Sequence, residues 1–214
     1  MVRKAAATVD VLDDSVLRSI AARGGVRTYP AHAVLVNEDD RSDALYIILE
    51  GRTKVYGSGD DGREVVYGTL GVGEYFGELT LDGGPRSASV KTLEPTACAV
   101  IPGCEVRDFL ATQPDFAVHL AKKLIGLSRA LTGQVKSLAL DDVYGRVARL
   151  LRTLAHDADG VPTLPEKLTQ QDIADRIGSS REMVSRVFKS LQEGGYVEMR
   201  GGRIAILKKL PAHW

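Results

Sequence analysis

Two stretches of the 214-residue chain carry side chains whose types and spacing suit chemistry, one on a small anion and one on base pairs. The first is Gly73-Glu-Tyr-Phe-Gly-Glu-Leu79 followed by Gly83-Gly-Pro-Arg-Ser-Ala88, which puts a carboxylate and a guanidinium on one glycine-rich loop. Glycine admits close backbone approach, Arg86 can pair in bidentate fashion with a phosphate, and Ser87 can donate its hydroxyl. Glu78 can accept hydrogen bonds from a sugar hydroxyl. Two readings stand side by side: a cradle for a small anion, or a structural Glu78–Arg86 pair holding a turn. No Gly-Lys-Ser/Thr phosphate loop marks a nucleotide site on its own.

The second stretch begins at Thr169-Gln170-Gln171-Asp172, a capping-box pattern that predicts a helix with Ile173, Ala174 and Ile177 on its apolar face and Gly178 at its end. Ser179-Ser180-Arg181-Glu182 predicts a second helix, opened by a Ser-x-x-Glu capping box. Val184, Val187, Phe188 and Leu191 form its apolar stripe, leaving Arg181, Glu182, Ser185, Arg186 and Lys189 outward. Two helices around a glycine turn make a helix-turn-helix. On its second helix arginine suits guanine O6 and N7, glutamate suits the cytosine amino group, and amino-terminal residues reach deepest into the major groove. Arg200 and Arg203 flank Gly201-Gly202, a β-wing able to grip phosphate. A charged helix face is ordinarily just solvated, but two caps, a glycine turn, a basic stripe and a wing in this order favour a reader of double-stranded DNA.

These groups need scaffolds. From Tyr29 to Ile101 the chain reads as short β-rich runs, Ala44–Leu49, Arg52–Tyr56, Glu64–Tyr67 and Ala97–Ile101 among them, separated by glycine and aspartate. Ten of the 22 glycines fall between Gly51 and Gly84, and Gly57-Ser-Gly-Asp-Asp-Gly62 reads as a hairpin loop, so an antiparallel roll or barrel is expected. A short amphipathic helix over Val9 to Ala22 should pack beside it. After Pro114 the period changes to helical: Ala117, Leu120, Leu124, Leu127, Leu131, Gln134 and Leu138 follow a three-four spacing. That is the seam of a parallel dimeric coiled coil, or else of a single helix lying on the roll. Gly126 and Gly133 recur one heptad apart on one face, where something should approach closely. From Asp141 the chain is helical again up to Gly194-Gly195, apart from a polar loop over Ala155 to Pro162, and ends in two β runs around Gly201-Gly202.

Composition excludes several classes. With 44% apolar and 26% charged residues the chain is an ordinary globular one, long enough for two modules. Twenty-eight Lys+Arg balance 28 Asp+Glu, so any attraction to nucleic acid must be local. No run approaches the roughly eighteen apolar residues that span a bilayer, and Met1 to Asp14 is too acidic and polar for a secretory signal, so a cytoplasmic protein without a membrane partner is expected. Cys98 and Cys104 cannot supply a disulfide framework, a four-thiolate zinc site or an iron–sulfur cluster, and both read as buried small hydrophobes. His32, His119, His156 and His213 are scattered, so no metal is expected. A cupin-type β-barrel enzyme would need clustered histidine and carboxylate ligands, which are not evident, and the chain is not expected to be an enzyme.

The order of β-roll, Phe-Gly-Glu-Leu and Gly-Gly-Pro-Arg-Ser-Ala cassette, long helix, Asp142-Val-Tyr-Gly-Arg-Val-Ala148 and Ser-Arg-Glu-Met-Val-Ser-Arg helix resembles the cyclic AMP receptor protein/FNR superfamily of bacterial transcription regulators over nearly the whole chain. The resemblance implies an α+β fold: residues 1–113 as an effector-binding antiparallel β-roll of jelly-roll type, 114–140 as a dimerisation helix, and 141–214 as a winged helix-turn-helix. It implies a homodimer with Leu120, Leu124, Leu127, Leu131 and Leu138 in the seam, binding an inverted-repeat operator. By the same resemblance Gly77, Glu78, Leu79, Arg86, Ser87 and Ala88 stand where the family holds the ribose and cyclic phosphate of cyclic AMP or a related nucleotide. Thr169, Gln170, Ser180, Arg181, Glu182, Ser185, Arg186, Lys189, Arg200 and Arg203 stand where it meets DNA. Two departures are visible. The cassette is one residue shorter between Glu78 and Arg86 than in many cyclic-nucleotide domains, and the threonine-serine pair that meets the base reads Leu131-Thr132, of which only Thr132 matches. The loop from His156 to Gly160 lies where relatives of this type contact RNA polymerase. A constitutive regulator with a vestigial pocket, or one answering a cyclic dinucleotide, is the alternative expectation.

Overall fold

The structure, a computed structural model, describes residues 9–11, 13–158 and 160–211; the ends of the first and last expected domains, and His213, lie outside the described residues. Two compact units, 1–126 and 127–214, meet inside the long helix.

In the first unit the Asp14 carboxylate accepts from the Val16 and Leu17 amides and starts α1 (Ser15–Ala21). The helix expected over Val9 to Ala22 is therefore shorter, because that cap separates it from a single 3-10 turn at Val9–Val11. Eight strands follow: β1 (Gly25–Tyr29), β2 (Val34–Val36), β3 (Leu45–Glu50), β4 (Thr53–Ser58), β5 (Glu64–Leu70), β6 (Tyr75–Phe76), β7 (Ser89–Thr92) and β8 (Thr96–Ile101). They pair antiparallel into two four-stranded sheets, ordered β1-β8-β3-β6 and β2-β7-β4-β5, which is the expected roll. The run Leu45–Leu49 is apolar throughout because β3 is buried on both faces. Leu45, Ile47 and Leu49 face a core with Leu17, Ile20 and Phe116, while Ile48 meets Val36, Phe76, Val90 and Cys98.

Helix α2 (Gly103–Thr112) is not among the elements expected from the sequence; Val106 and Phe109 pack it onto the roll. It also corrects the reading of the cysteines. Cys98 is buried in β8 with its thiol pushed up to about 12 by burial, whereas Cys104 follows the inward-facing Gly103 and is exposed. Helix α3 (Pro114–Leu140) then leaves the roll: Phe116 is buried and Leu120 packs on the same core, but Leu124, Leu131 and Leu138 are exposed in the single chain. The roll thus covers only the first turns of the seam. A side chain added at Gly126 or Gly133 would meet nothing within 4 Å.

The second unit holds α4 (Val143–Leu154), β9 (His156–Ala158), β10 (Val161–Thr163), α5 (Gln170–Ile177), α6 (Arg181–Glu193), β11 (Val197–Arg200) and β12 (Arg203–Ile206). Its core joins Val147 and Leu151 of α4 to Ile173, Val184, Phe188, Leu191 and Ile204. The stretch expected as a polar loop, Ala155 to Pro162, is instead a hairpin, and β10 pairs with β12 to give the sheet order β11-β12-β10-β9. Residues too polar to signal a strand are recruited there by an existing edge.

Candidate functional site

The cradle is built around a buried cation. Arg86 is 2% exposed, and its guanidinium donates from Nε to Ser42 Oγ at 3.0 Å, from Nη1 to Gly77 O at 3.2 Å and from Nη2 to Ala44 O at 2.8 Å. It lies 5.9 Å from the centre of the Tyr46 ring, which stacks on Phe76. Three of its five N–H groups are thus held by neutral oxygens. Among the described residues no carboxylate comes within ion-pair distance, and burial lowers the Arg86 pKa against the opposing pull of Tyr46, Asp43, Glu78 and Asp40. A desolvated, preoriented guanidinium with donors to spare can pair with an anion.

Gly77 makes this approach possible. Its φ is +96°, and a side chain there would fall on Arg86 Nη1 and within 2.6 Å of Ala44 O. The chain then turns through a 3-10 segment, Glu78–Asp82, with Glu78 buried at 8% exposure and Leu79 exposed. The Glu78–Arg86 pair offered as the structural alternative is not formed. Glu78 Oε2 instead pairs with Lys123 Nζ of α3 at 3.3 Å and makes no hydrogen bond. Ser87 is exposed and Ala88 half-buried beside Arg86. Thr132 belongs to the second unit, exposed on α3, where its hydroxyl donates to Ser128 O.

Sequence reasoning missed Ser42, Ala44 and Lys123. Nothing in the sequence links the first two to Arg86, 44 and 42 residues away. Lys123 did carry a signal: Phe116, Leu120 and Lys123 stand at i, i+4 and i+7, one stripe of the helix that faces the roll.

The second constellation is exposed. Thr169 caps α5 in a full capping box with Asp172, and its hydroxyl is engaged there. Gln170 is half-buried at the start of that helix, and Gly178 ends it. The cap of α6 is Ser180, whose hydroxyl accepts from Met183 N; the expected Ser179–Glu182 box is not formed, since the helix starts one residue later. Glu182 closes no capping box, but its own amide and the hydroxyl of the cap residue Ser180 hold its pKa down, so it stays an ionised acceptor. Arg181, Glu182, Ser185, Arg186 and Lys189 are exposed on α6, opposite buried Val184, Phe188 and Leu191. Arg200 and Arg203 face each other across a two-residue turn in which Gly201 and Gly202 both have positive φ, and Arg200 pairs with Glu198 at 3.0 Å. Among the described residues no cluster of three or more His, Cys, Asp or Glu could hold a metal ion, and no helix is long and apolar enough to cross a membrane.

Comparison with known proteins matches both halves. Residues 26–113 fit the family described as cyclic nucleotide-binding domain, and residues 145–210 fit the Crp-like helix-turn-helix domain. The chain is 35% identical over 189 residues to the cAMP-activated global transcriptional regulator Vfr of Pseudomonas aeruginosa, covering 84% of this chain and 88% of Vfr. It is 31% identical over 187 residues to the cAMP-activated global transcriptional regulator CRP of Pasteurella multocida, covering 85% and 89%. Among solved structures, the c-di-GMP responsive global regulator CLP of Xanthomonas campestris superposes with a TM-score of 0.78 at 27% identity, covering 92% of this chain and 100% of CLP. A CooA mutant from Carboxydothermus hydrogenoformans shares the fold, with a TM-score of 0.80 at 19% identity over 97% of this chain and 94% of CooA.

Proposed function

The chain belongs to the cyclic AMP receptor protein/FNR superfamily of bacterial transcription regulators, and from that membership we propose how its own residues divide the work. It is a dimeric, sequence-specific DNA-binding transcription regulator controlled by a small effector, and the effector is a cyclic nucleotide, cyclic AMP or a close relative. Residues 1–113 receive the effector, 114–140 dimerise, and 141–214 read DNA in the cytoplasm, with no catalytic step of their own. The observation that carries the effector reading is Arg86: a guanidinium 2% exposed and met only by neutral oxygens among the described residues. A cyclic phosphate supplies the missing charge, taking the donors that remain, with Ser87 and the backbone from Gly77 to Ala88 around it and Glu78 accepting from the sugar. Thr132 is assigned to the base.

On the DNA side, Arg181 and Arg186 read guanine and Glu182 cytosine, with Ser185 and Lys189 beside them. Thr169, Gln170, Ser180, Arg200 and Arg203 position the module on phosphate. The exposed leucines of α3 are the stripe that a second copy covers, and the open faces of Gly126 and Gly133 let it approach closely. The operator is then an inverted repeat with guanine-rich half-sites. The segment from His156 to Gly160 is assigned to RNA polymerase. Leu131, where cyclic AMP receptors carry a base contact, favours a second reading in which a cyclic dinucleotide is the effector, the ligand class to which CLP responds. Calorimetry of the full chain separates them. The expected result is binding of a cyclic mononucleotide that Arg86→Met weakens by about thirty-fold or more; heat from cyclic di-GMP alone selects the second reading.

A further inference from the structure

Lys123 is the charged residue of the long helix that reaches the cradle. Its ammonium lies 3.6 Å from the centre of the Tyr75 ring, donates to Tyr75 O, and pairs with Glu78 Oε2 at 3.3 Å. Tyr75 is fixed in turn: it packs in the helix-side core against Phe116, and its hydroxyl lies 3.5 Å from Nδ1 of His119, one helical turn before Lys123. Glu78 has no other partner among the described residues, and Oε2 is sealed from solvent. The carboxylate is therefore clamped by one oxygen, leaving Oε1 as the acceptor that a ligand can reach.

We propose that Lys123 is the positioning residue of the cradle: from α3 it holds the Glu78 carboxylate oriented, so that Oε1 meets the sugar hydroxyl of the effector. This rests on the reading of Glu78 given above and adds a residue to it. A buried carboxylate without a cation is expensive and takes up a proton or turns to water, and in either case offers a weaker acceptor. Burial lowers the Lys123 pKa, while Glu78 and then Glu74 pull the other way. Because Lys123 follows Phe116 and Leu120 along one stripe, the clamp also ties the effector's hydroxyl to the helix on which the seam is built.

The test is calorimetric titration of the full chain with cyclic AMP and with its 2′-deoxy analogue, in the wild type, Lys123→Met and Lys123→Arg. The wild type should bind cyclic AMP about ten-fold more tightly than the deoxy analogue, since the hydroxyl donates to a charged acceptor. Lys123→Met should lose that preference by weakening cyclic AMP alone, and Lys123→Arg should restore most of it. An equal loss for both ligands in Lys123→Met marks a merely structural role and overturns the proposal, as does an undiminished preference. If the wild type itself shows no preference, or binds neither ligand, it is the reading of Glu78 that fails, and the clamp falls with it.

Discussion

The two charged constellations are built in opposite ways. In the cradle, Arg86 and Glu78 are desolvated and already held by Ser42, Gly77, Ala44 and Lys123, so the cost of burying them is met on folding and the side chains wait in place. On the reader, Arg181, Arg186 and Lys189 stand in solvent on a face whose opposite side carries the core, and Lys189 has only an exposed pairing with Glu193 at 3.9 Å. Buried charge therefore couples binding to stability, whereas exposed charge leaves the fold alone and responds to salt.

The largest effect should come from breaking what joins the regions. Leu124→Asp places a charge in the seam, and light scattering should show a monomer where the wild type is a dimer. Tight operator binding should vanish with it, since each copy then engages only one half-site; a dimer that survives the substitution would show that the interface lies elsewhere. Next is the buried cation. Arg86→Met leaves Gly77 O and Ala44 O without their donor, and should cost the roll about 3 kcal/mol. The check is internal: Cys98, buried in β8 with its pKa pushed up to about 12, should be labelled by thiol reagents faster in the variant, while exposed Cys104 reacts alike in both. An unchanged Cys98 rate would mean that Arg86 does not support the roll.

The reader should behave otherwise. Arg186→Ala should leave stability within about 0.5 kcal/mol, because the side chain is exposed and its contacts among the described residues are weak, a 4.0 Å approach to Met183 Sδ and the nearby Glu182 charge. It should cost about 1 to 3 kcal/mol per half-site and relax selection at one base pair, as read by site selection from random DNA. An equal loss on every sequence would make it a phosphate clamp instead. The smallest effect is expected at the wing: Arg203→Ala should weaken all sequences alike and lower the salt slope by about one, with no change in site preference.

What was legible in the sequence follows the same division. The reader is nearly complete in the residue pattern alone, because Val184, Phe188 and Leu191 recur at helical spacing and its outward residues are set by that stripe; only the cap moved, from Ser179 to Ser180. The residues of the cradle were legible as types on a glycine loop, but their partnership was not. The Glu78–Arg86 pair that proximity in sequence suggests is replaced by contacts from the segment before β3, which no local pattern encodes, and from Lys123 of α3, which only its place on the Phe116–Leu120 stripe signals. Helix α2 escaped because its apolar side is short, Val106, Phe109 and Leu110, and the β9–β10 hairpin escaped because each strand is only three residues long and His156–Ala158 are exposed.

If effector and operator are coupled through one chain, linkage makes the coupling reciprocal. The direct measurement is a paired titration: operator affinity of the full-length dimer with and without saturating cyclic AMP, and cyclic AMP affinity with and without saturating operator. The expected result is that cyclic AMP tightens operator binding and that operator tightens cyclic AMP binding by the same factor. Operator affinity unchanged by a cyclic nucleotide that demonstrably occupies the Arg86 cradle would contradict it.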